Sequence, residues 1–195
     1  MINYQFIPAG GLHKMEIGGL WDNIALSDLE EDVLAALRII APKIDRLTVI
    51  GDQEIRTPTG RRLERIPIVR TAGNGIPLPI RSLGEGMNRM LGLALALANS
   101  KEGLMLVDEI DSGLHYSVQT DTWRLLFQMA HRLNAQVFAT THSWDCIEAF
   151  QKAAQEAPNE EAMLIRLGQQ KEGIVSTLFD KQELAIAARE QIEVR

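Results

Sequence analysis

The sequence predicts an α/β fold built on a parallel sheet. Two short apolar runs, Leu104 to Val107 and Gln136 to Thr140, flank a helical stretch from about Tyr116 to Leu133. Strand, helix, strand at this spacing is a βαβ unit, and a crossover of that kind returns the second strand parallel to the first. Both runs also end in polar pairs, Asp108-Glu109 and Thr141-His142. Chemistry-bearing residues collect at that edge because open α/β sheets bind ligands outside the carboxyl ends of their strands.

The first ~25 residues read as irregular and glycine-rich. Ser27 then reads as an N-cap with Glu30 as its capping-box partner. Leu29, Val33, Leu34, Leu37 and Ile40 follow at helical spacing, and Pro42 closes the segment. Leu47 to Ile50 and Leu63 to Val69 read as extended. A turn cluster at Thr71 to Gly75 precedes Ile76 to Ile80, a candidate partner strand, and Pro67, Pro77 and Pro79 mark this region as edge strands or an irregular hairpin.

Ser82 to Gly86 opens a strongly apolar segment, Met87 to Ala98, which reads as a buried helix. In the next helix Trp123, Leu126, Phe127, Ala130 and Leu133 share one face. Ser143 caps a helix that fades before Pro158. Met163 to Leu167 and Ile174 to Phe179 form a late strand pair across a Gly168–Gly173 turn, and Asp180 with Glu183 makes a capping box for the final helix.

A chain of 195 residues is one domain, with room for a small appendage. Its 46% hydrophobic and 24% charged residues exclude disorder and low-complexity classes. The single cysteine, Cys146, rules out an intrachain disulfide and a cysteine-rich zinc module, and reads as a small core residue. No apolar run approaches the roughly 20 residues that span a bilayer, and the first eleven residues lack a signal-peptide pattern, so a cytoplasmic location with no membrane partner is expected. The net charge of −6 gives no overall basic footprint for nucleic acid, and the Arg61, Arg62 and Arg65 cluster reads as a solvated strand or turn. His13, His115 and His131 do not stand at metal-ligand spacing.

The chemistry concentrates in Leu104-Met105-Leu106-Val107-Asp108-Glu109. Adjacent acids at a strand tip point in alternate directions, so one can reach a magnesium ion and the other a nucleophilic water. This is the layout of a Walker B strand with its catalytic glutamate. Alone it also fits a strand ending in a solvated turn. His142, at the end of the next strand, is placed to hydrogen-bond a phosphate or orient water; alone it reads as a structural histidine. Ser82, Gly84 and Gly86 supply a hydroxyl and unobstructed backbone N–H groups at a helix start, an anion site by geometry although also an ordinary helix start.

In this order, the motifs resemble the nucleotide-binding domain of the ABC-type ATPases. The resemblance is to the soluble branch, which includes bacterial AAA-family proteins similar to the overcoming-lysogenization-defect ATPases and, more distantly, the SMC and RecF group. It rests on the runs Ile80 to Arg89, Leu106 to Ser117 and Ala139 to Ser143, and is densest from Pro79 to Phe150. It implies that Asp108 holds Mg2+, Glu109 polarises the attacking water, and His142 contacts the γ-phosphate of ATP. It further implies that Asp111, Ser112 and the residues through Leu114 form the D-loop across a dimer interface. Ser82, Gly84 and Gly86 would meet the γ-phosphate of a nucleotide held mainly by the opposite protomer. Leu83 between Ser82 and Gly84, Gly86 in place of a glutamine, and Ile110-Asp111 in place of Pro-Thr depart from the transporter pattern.

No Gly-x-x-x-x-Gly-Lys-Ser/Thr occurs in the sequence; Gly168 to Gly173 has the spacing but continues with Ile174 and Val175. The resemblance therefore implies a P-loop-NTPase-like half domain: residues 1–80 an irregular segment with a helix and a β-hairpin, residues 81–195 the C-terminal ATPase subdomain. Its expected partners are a P-loop-bearing N-terminal lobe or subunit and a homo- or heterodimer mate met through signature and D-loop, with DNA or a nuclease by family analogy. Alone, the chain is expected to bind and hydrolyse ATP weakly. The rival readings are a non-enzymatic, degenerate or split interaction subunit and an ABC transporter ATPase subunit. The half domain also predicts exposed apolar surface and self-association.

Overall fold

A computed structural model describes residues 2–57, 60–73, 75–170 and 173–189, with side chains at all of these except 52–57, 60–64, 188 and 189. The N-terminal stretch expected to be irregular carries a strand, β1 (Tyr4–Ile7), and a helix, α1 (Lys14–Ile24). Four residues are too few to show an alternation, and the partner of β1 lies about a hundred residues away. The start of α1 is set by a capping box with histidine in the serine position: Nδ1 of His13 accepts the Met15 N–H at 3.4 Å, and Glu16 accepts the His13 N–H at 2.7 Å.

Helix α2 (Leu29–Ile40) begins one residue later than the Ser27 box implies. The Ser27 hydroxyl does accept the Leu29 N–H at 3.3 Å, but Glu30 reaches past Ser27 to the Leu26 N–H at 2.5 Å. Leu26 turns the chain at φ 64°, and Asp28 is already helical and makes no side-chain cap. The long strands β2 (Ile44–Thr57) and β3 (Gly60–Thr71) pair antiparallel. The expected third strand over 76–80 shrinks to β4 (Leu78–Pro79), opposite Ile68 and Val69. Pro77 and Pro79 have no N–H to donate, and the chain enters a 3-10 turn (Ile80–Leu83) at once. On β3, Arg65 forms a two-pronged pair with Asp22 of α1, at 2.7 and 2.8 Å; the side chains of Arg61 and Arg62 lie outside the described residues.

Helix α3 (Glu85–Ala98) is the axis of the core, with every residue from Met90 to Ala98 buried. Strand β5 (Leu104–Val107), helix α4 (Tyr116–Leu133) and strand β6 (Gln136–Ala139) form the expected βαβ unit. The parallel sheet runs β1-β5-β6, with Ile7 opposite Val107 and Val107 opposite Ala139. At the end of α4, Asn134 takes a left-handed conformation (φ 49°), which stops the helix and turns the chain into β6.

Helix α5 (Trp144–Glu156), the hairpin β7 (Leu164–Gln170) and β8 (Gly173–Phe179), and helix α6 (Lys181–Arg189) complete the chain. Asp180 accepts the N–H groups of Gln182 and Glu183 at 2.8 Å, and Glu183 accepts that of Asp180 at 3.1 Å, so the expected capping box of α6 is present. Cys146 lies buried in the core. Among the described residues, no helix is long and apolar enough to cross a membrane.

The two faces of the parallel sheet differ. Ile7, Met105 and Val107 point into the core and are at most 3% exposed. On the opposite face the register aligns Phe6, Leu106 and Phe138 in one row, and Phe6 and Phe138 are 53% and 49% exposed. Parallel sheets are ordinarily covered on both faces, because their strands are apolar throughout.

Candidate functional site

Strand β5 is the middle strand, so the residues that follow it emerge at the centre of the sheet's carboxyl edge. Asp108 and Glu109 are both exposed there. Backbone bonds fix the exit: Asp108 donates to the Ile7 carbonyl at 2.8 Å, and Ile110 donates to the Thr140 carbonyl at 3.0 Å. The Thr140 hydroxyl donates to Oδ1 of Asp108 at 2.7 Å and accepts the Glu109 N–H at 2.9 Å. One side chain from the end of β6 thus fixes both the carboxylate of the first acid and the backbone of the second.

Glu109 adopts a left-handed backbone at φ 48°. For a residue with a Cβ this conformation costs about 1–2 kcal/mol and persists where surrounding contacts hold it. Arg89 supplies such contacts. From α3 its guanidinium donates to the carbonyls of Pro8 at 2.8 Å and of Asp108 and Glu109 at 2.7 Å each. Burial pulls the Arg89 guanidinium below the usual arginine value, and the charges of Asp111, Asp108 and Glu109 act in the opposite direction.

Beyond Glu109 the chain makes a tight turn. Ser112 donates to the Glu109 carbonyl and Leu114 to that of Asp111, both at 2.9 Å, and Gly113 takes φ 76°. The Thr141 hydroxyl donates to Oδ1 of Asp111 at 2.5 Å and accepts the Ser143 N–H at 3.0 Å. His142 lies between these residues on the loop from β6 to α5 and is exposed. Ser112 is half-buried within the turn. His115 caps α4, its Nδ1 accepting the Ser117 N–H at 3.4 Å.

At the start of α3, Gly84 has φ 101°, a conformation open to glycine and strained for other residues. The exposed Ser82 turns its hydroxyl back to the Pro79 carbonyl at 2.6 Å. Gly86 sits against the turn after the acids: a Cβ there would lie 2.7 Å from the Gly113 carbonyl oxygen. The structure thus gathers Asp108, Glu109 and Asp111 through two threonines and packs Gly86 on Gly113. It does not bond His142 to either acid, and it does not aim Ser82 at them.

Nothing in the local sequence pattern assigns a role to Arg89, Thr140 or Thr141. A lone cation inside the apolar run Met87 to Ala98 was the available signal for Arg89. The threonines act on residues about thirty positions away, which no local pattern marks. Among the described residues, no group of three or more His, Cys, Asp or Glu side chains could hold a metal. A single carboxylate suits Mg2+, which keeps much of its water and is held largely by substrate phosphates.

The family described as "AAA domain, putative AbiEii toxin, Type IV TA system" matches residues 31–145, more than half of the chain. The uncharacterized protein MJECL11 of Methanocaldococcus jannaschii is 30% identical over 96 residues, which are 49% of this chain and 83% of that protein. In three dimensions the chain is similar to an SMC ATPase solved in work on ATP-driven dimerization and DNA-stimulated activation. The TM-score is 0.56 at 12% identity, covering 92% of this chain and 99% of that one. An SMC head bound to the C-winged helix domain of ScpA gives a TM-score of 0.53 at 14% identity, covering 78% of this chain and 42% of that one. At such identities the likeness is one of fold: the α/β architecture of an SMC head. The chain spans less than half the length of that second head.

Proposed function

Since the chain belongs to the AAA-domain family that matches residues 31–145, we propose that it supplies the acid-bearing half of a composite ATP-hydrolysing site. The observation that carries this reading is the acid pair Asp108 and Glu109, held at the tip of the central parallel strand by the Thr140 hydroxyl. The reaction is hydrolysis of the terminal phosphoanhydride bond. Glu109 accepts a hydrogen bond from the attacking water and takes its proton as the oxygen bonds to the γ-phosphorus. His142 donates a ring N–H to a γ-phosphate oxygen, and Asp111 and Ser112 shape the turn that meets the second protomer.

Oδ1 of Asp108 is engaged by Thr140, and the Asp108 carboxylate would hold the Mg2+ that accompanies ATP. When bound, that ion neutralises phosphate charge. At the start of α3 the Gly86 N–H faces the γ-phosphate of a nucleotide held by the opposite protomer, with Ser82 beside it. The Gly84 N–H, expected from the sequence to be unobstructed, instead donates to the Arg81 carbonyl at 3.3 Å.

A phosphate-cradling loop with its lysine is absent from the sequence, so another lobe or subunit supplies it. The bare row Phe6, Leu106 and Phe138 seats that lobe, because an uncovered face leaves a parallel sheet one layer short. The same bare face favours one other reading, a non-enzymatic subunit that only docks on its partner. ATP turnover separates the two when a P-loop-bearing polypeptide is supplied: Glu109→Gln abolishes activity under the first reading, and no activity arises under the second.

A further inference from the structure

Arg89 is the one charged residue between Met87 and Ala98, and it is 5% exposed. Its three hydrogen bonds all go to backbone carbonyls where β1 and β5 leave the sheet, and none goes to an acid side chain. Its Nε finds no acceptor among the described residues. A buried cation forming no carboxylate pair is spent on shaping backbone. The two carbonyls that share its Nη2, those of Asp108 and Glu109, are consecutive. In a strand, consecutive carbonyls point to opposite sides; here both converge on one nitrogen across the left-handed Glu109.

We propose that Arg89 is the positioning residue of this site: it holds Glu109 in its left-handed conformation and ties that acid to the first turns of α3. The assignment rests on the ATPase reading for the role of Glu109, but not for its geometry. Gly86 lies on the helix that carries Arg89, with Gly84 as its N-cap, and Gly86 abuts Gly113 in the turn after the acids. Displacement of the α3 start by a bound anion therefore carries the guanidinium with it and re-aims Glu109. Lysine cannot substitute, since one ammonium cannot serve three carbonyls with the fixed fork of a guanidinium.

The test is NMR on the full chain carrying Arg89→Lys, with Arg89→Met as the second variant and Thr140→Val as the comparison. In the wild type, the Glu109 Cα shift and HN–Hα coupling carry the left-handed signature. Arg89→Lys removes that signature and speeds exchange of the Ile110 and Ser112 amides by about tenfold or more, with α4 resonances unmoved. Where ATP turnover is obtained, Arg89→Lys lowers kcat and leaves KM for ATP unchanged. A folded variant that keeps the left-handed signature overturns the assignment, as does loss of folding in both variants, which makes Arg89 a core anchor only. Turnover that survives Glu109→Gln removes Glu109 as the base of the ATPase reading while leaving the geometric result to stand on its own.

Discussion

The Thr140 hydroxyl stands 2.7 Å from Oδ1 of Asp108 and donates to it, while accepting the Glu109 N–H at 2.9 Å. The residue that follows β6 thereby fixes the carboxylate of Asp108 and the backbone of Glu109, the two residues that follow β5. Thr140→Val keeps the shape and removes both bonds; Thr140→Ser keeps the bonds. The valine variant is expected to lose about 1 kcal/mol in urea unfolding and most of the turnover of the completed site. The serine variant should stay near wild type in both. Equal behaviour of the two would show that the hydroxyl is idle.

Gly86 and Gly19 should respond to alanine with opposite signs. A Cβ on Gly86 meets the Gly113 carbonyl oxygen at 2.7 Å, and backbone on both sides leaves little room to yield. Gly86→Ala is expected to cost about 1–3 kcal/mol. Gly19 is exposed on α1 with nothing within 4 Å of the added carbon. Gly19→Ala should stabilise by about 0.5–1 kcal/mol through helix propensity. Urea midpoints moving in the same direction would refute the contact.

The bare sheet face predicts self-association. Phe6 and Phe138, about half exposed, flank Leu106 on one row. Light scattering should show the mass rising with concentration. The pair Phe6→Ser and Phe138→Ser should return a monomer at little cost in thermal stability, because neither ring lies in the core. A monodisperse wild-type monomer at all concentrations would count against the uncovered layer.

Acid should weaken the fold through three surface pairs. Hydrogen bonding from Arg65 holds the Asp22 carboxyl below its usual value, Arg70 does the same for Asp45, and Arg124 for Glu156. Each acid binds its proton more weakly folded than unfolded, so its contribution is complete above the ordinary carboxylate range and is lost as pH falls through the lowered folded value. Urea midpoints should be flat from about pH 7 to 5 and drop below about pH 4. Asp22→Asn should make that drop shallower. An unchanged slope in this variant would remove Asp22 from the account.

The βαβ unit was legible because β5, α4 and β6 each carry an unbroken local pattern and follow one another closely. So was the C-terminal hairpin, and so was the capping box of Asp180 and Glu183. Strand β1 was not, since Tyr4 to Ile7 become a strand only by pairing with Leu104 to Val107. The capping role of His13 at α1 was not legible either, because histidine stands there in the position usually taken by serine. The positions of Asp108 and Glu109 just past β5, and of His142 on the loop that follows β6, were readable from the sequence. The groups that aim the acids were not: Thr140 and Arg89 act across the fold, and a one-dimensional pattern carries no record of such bonds.

The measurement that bears most directly on the composite-site account is magnesium-dependent ATP turnover by the wild-type chain and by Glu109→Gln, each alone and with a P-loop-bearing lobe added in trans. The account predicts little turnover by the chain alone. It predicts clear turnover in the mixture, and a loss of about a hundredfold or more on Glu109→Gln. Turnover that Glu109→Gln leaves intact, or silence in every mixture, would contradict it.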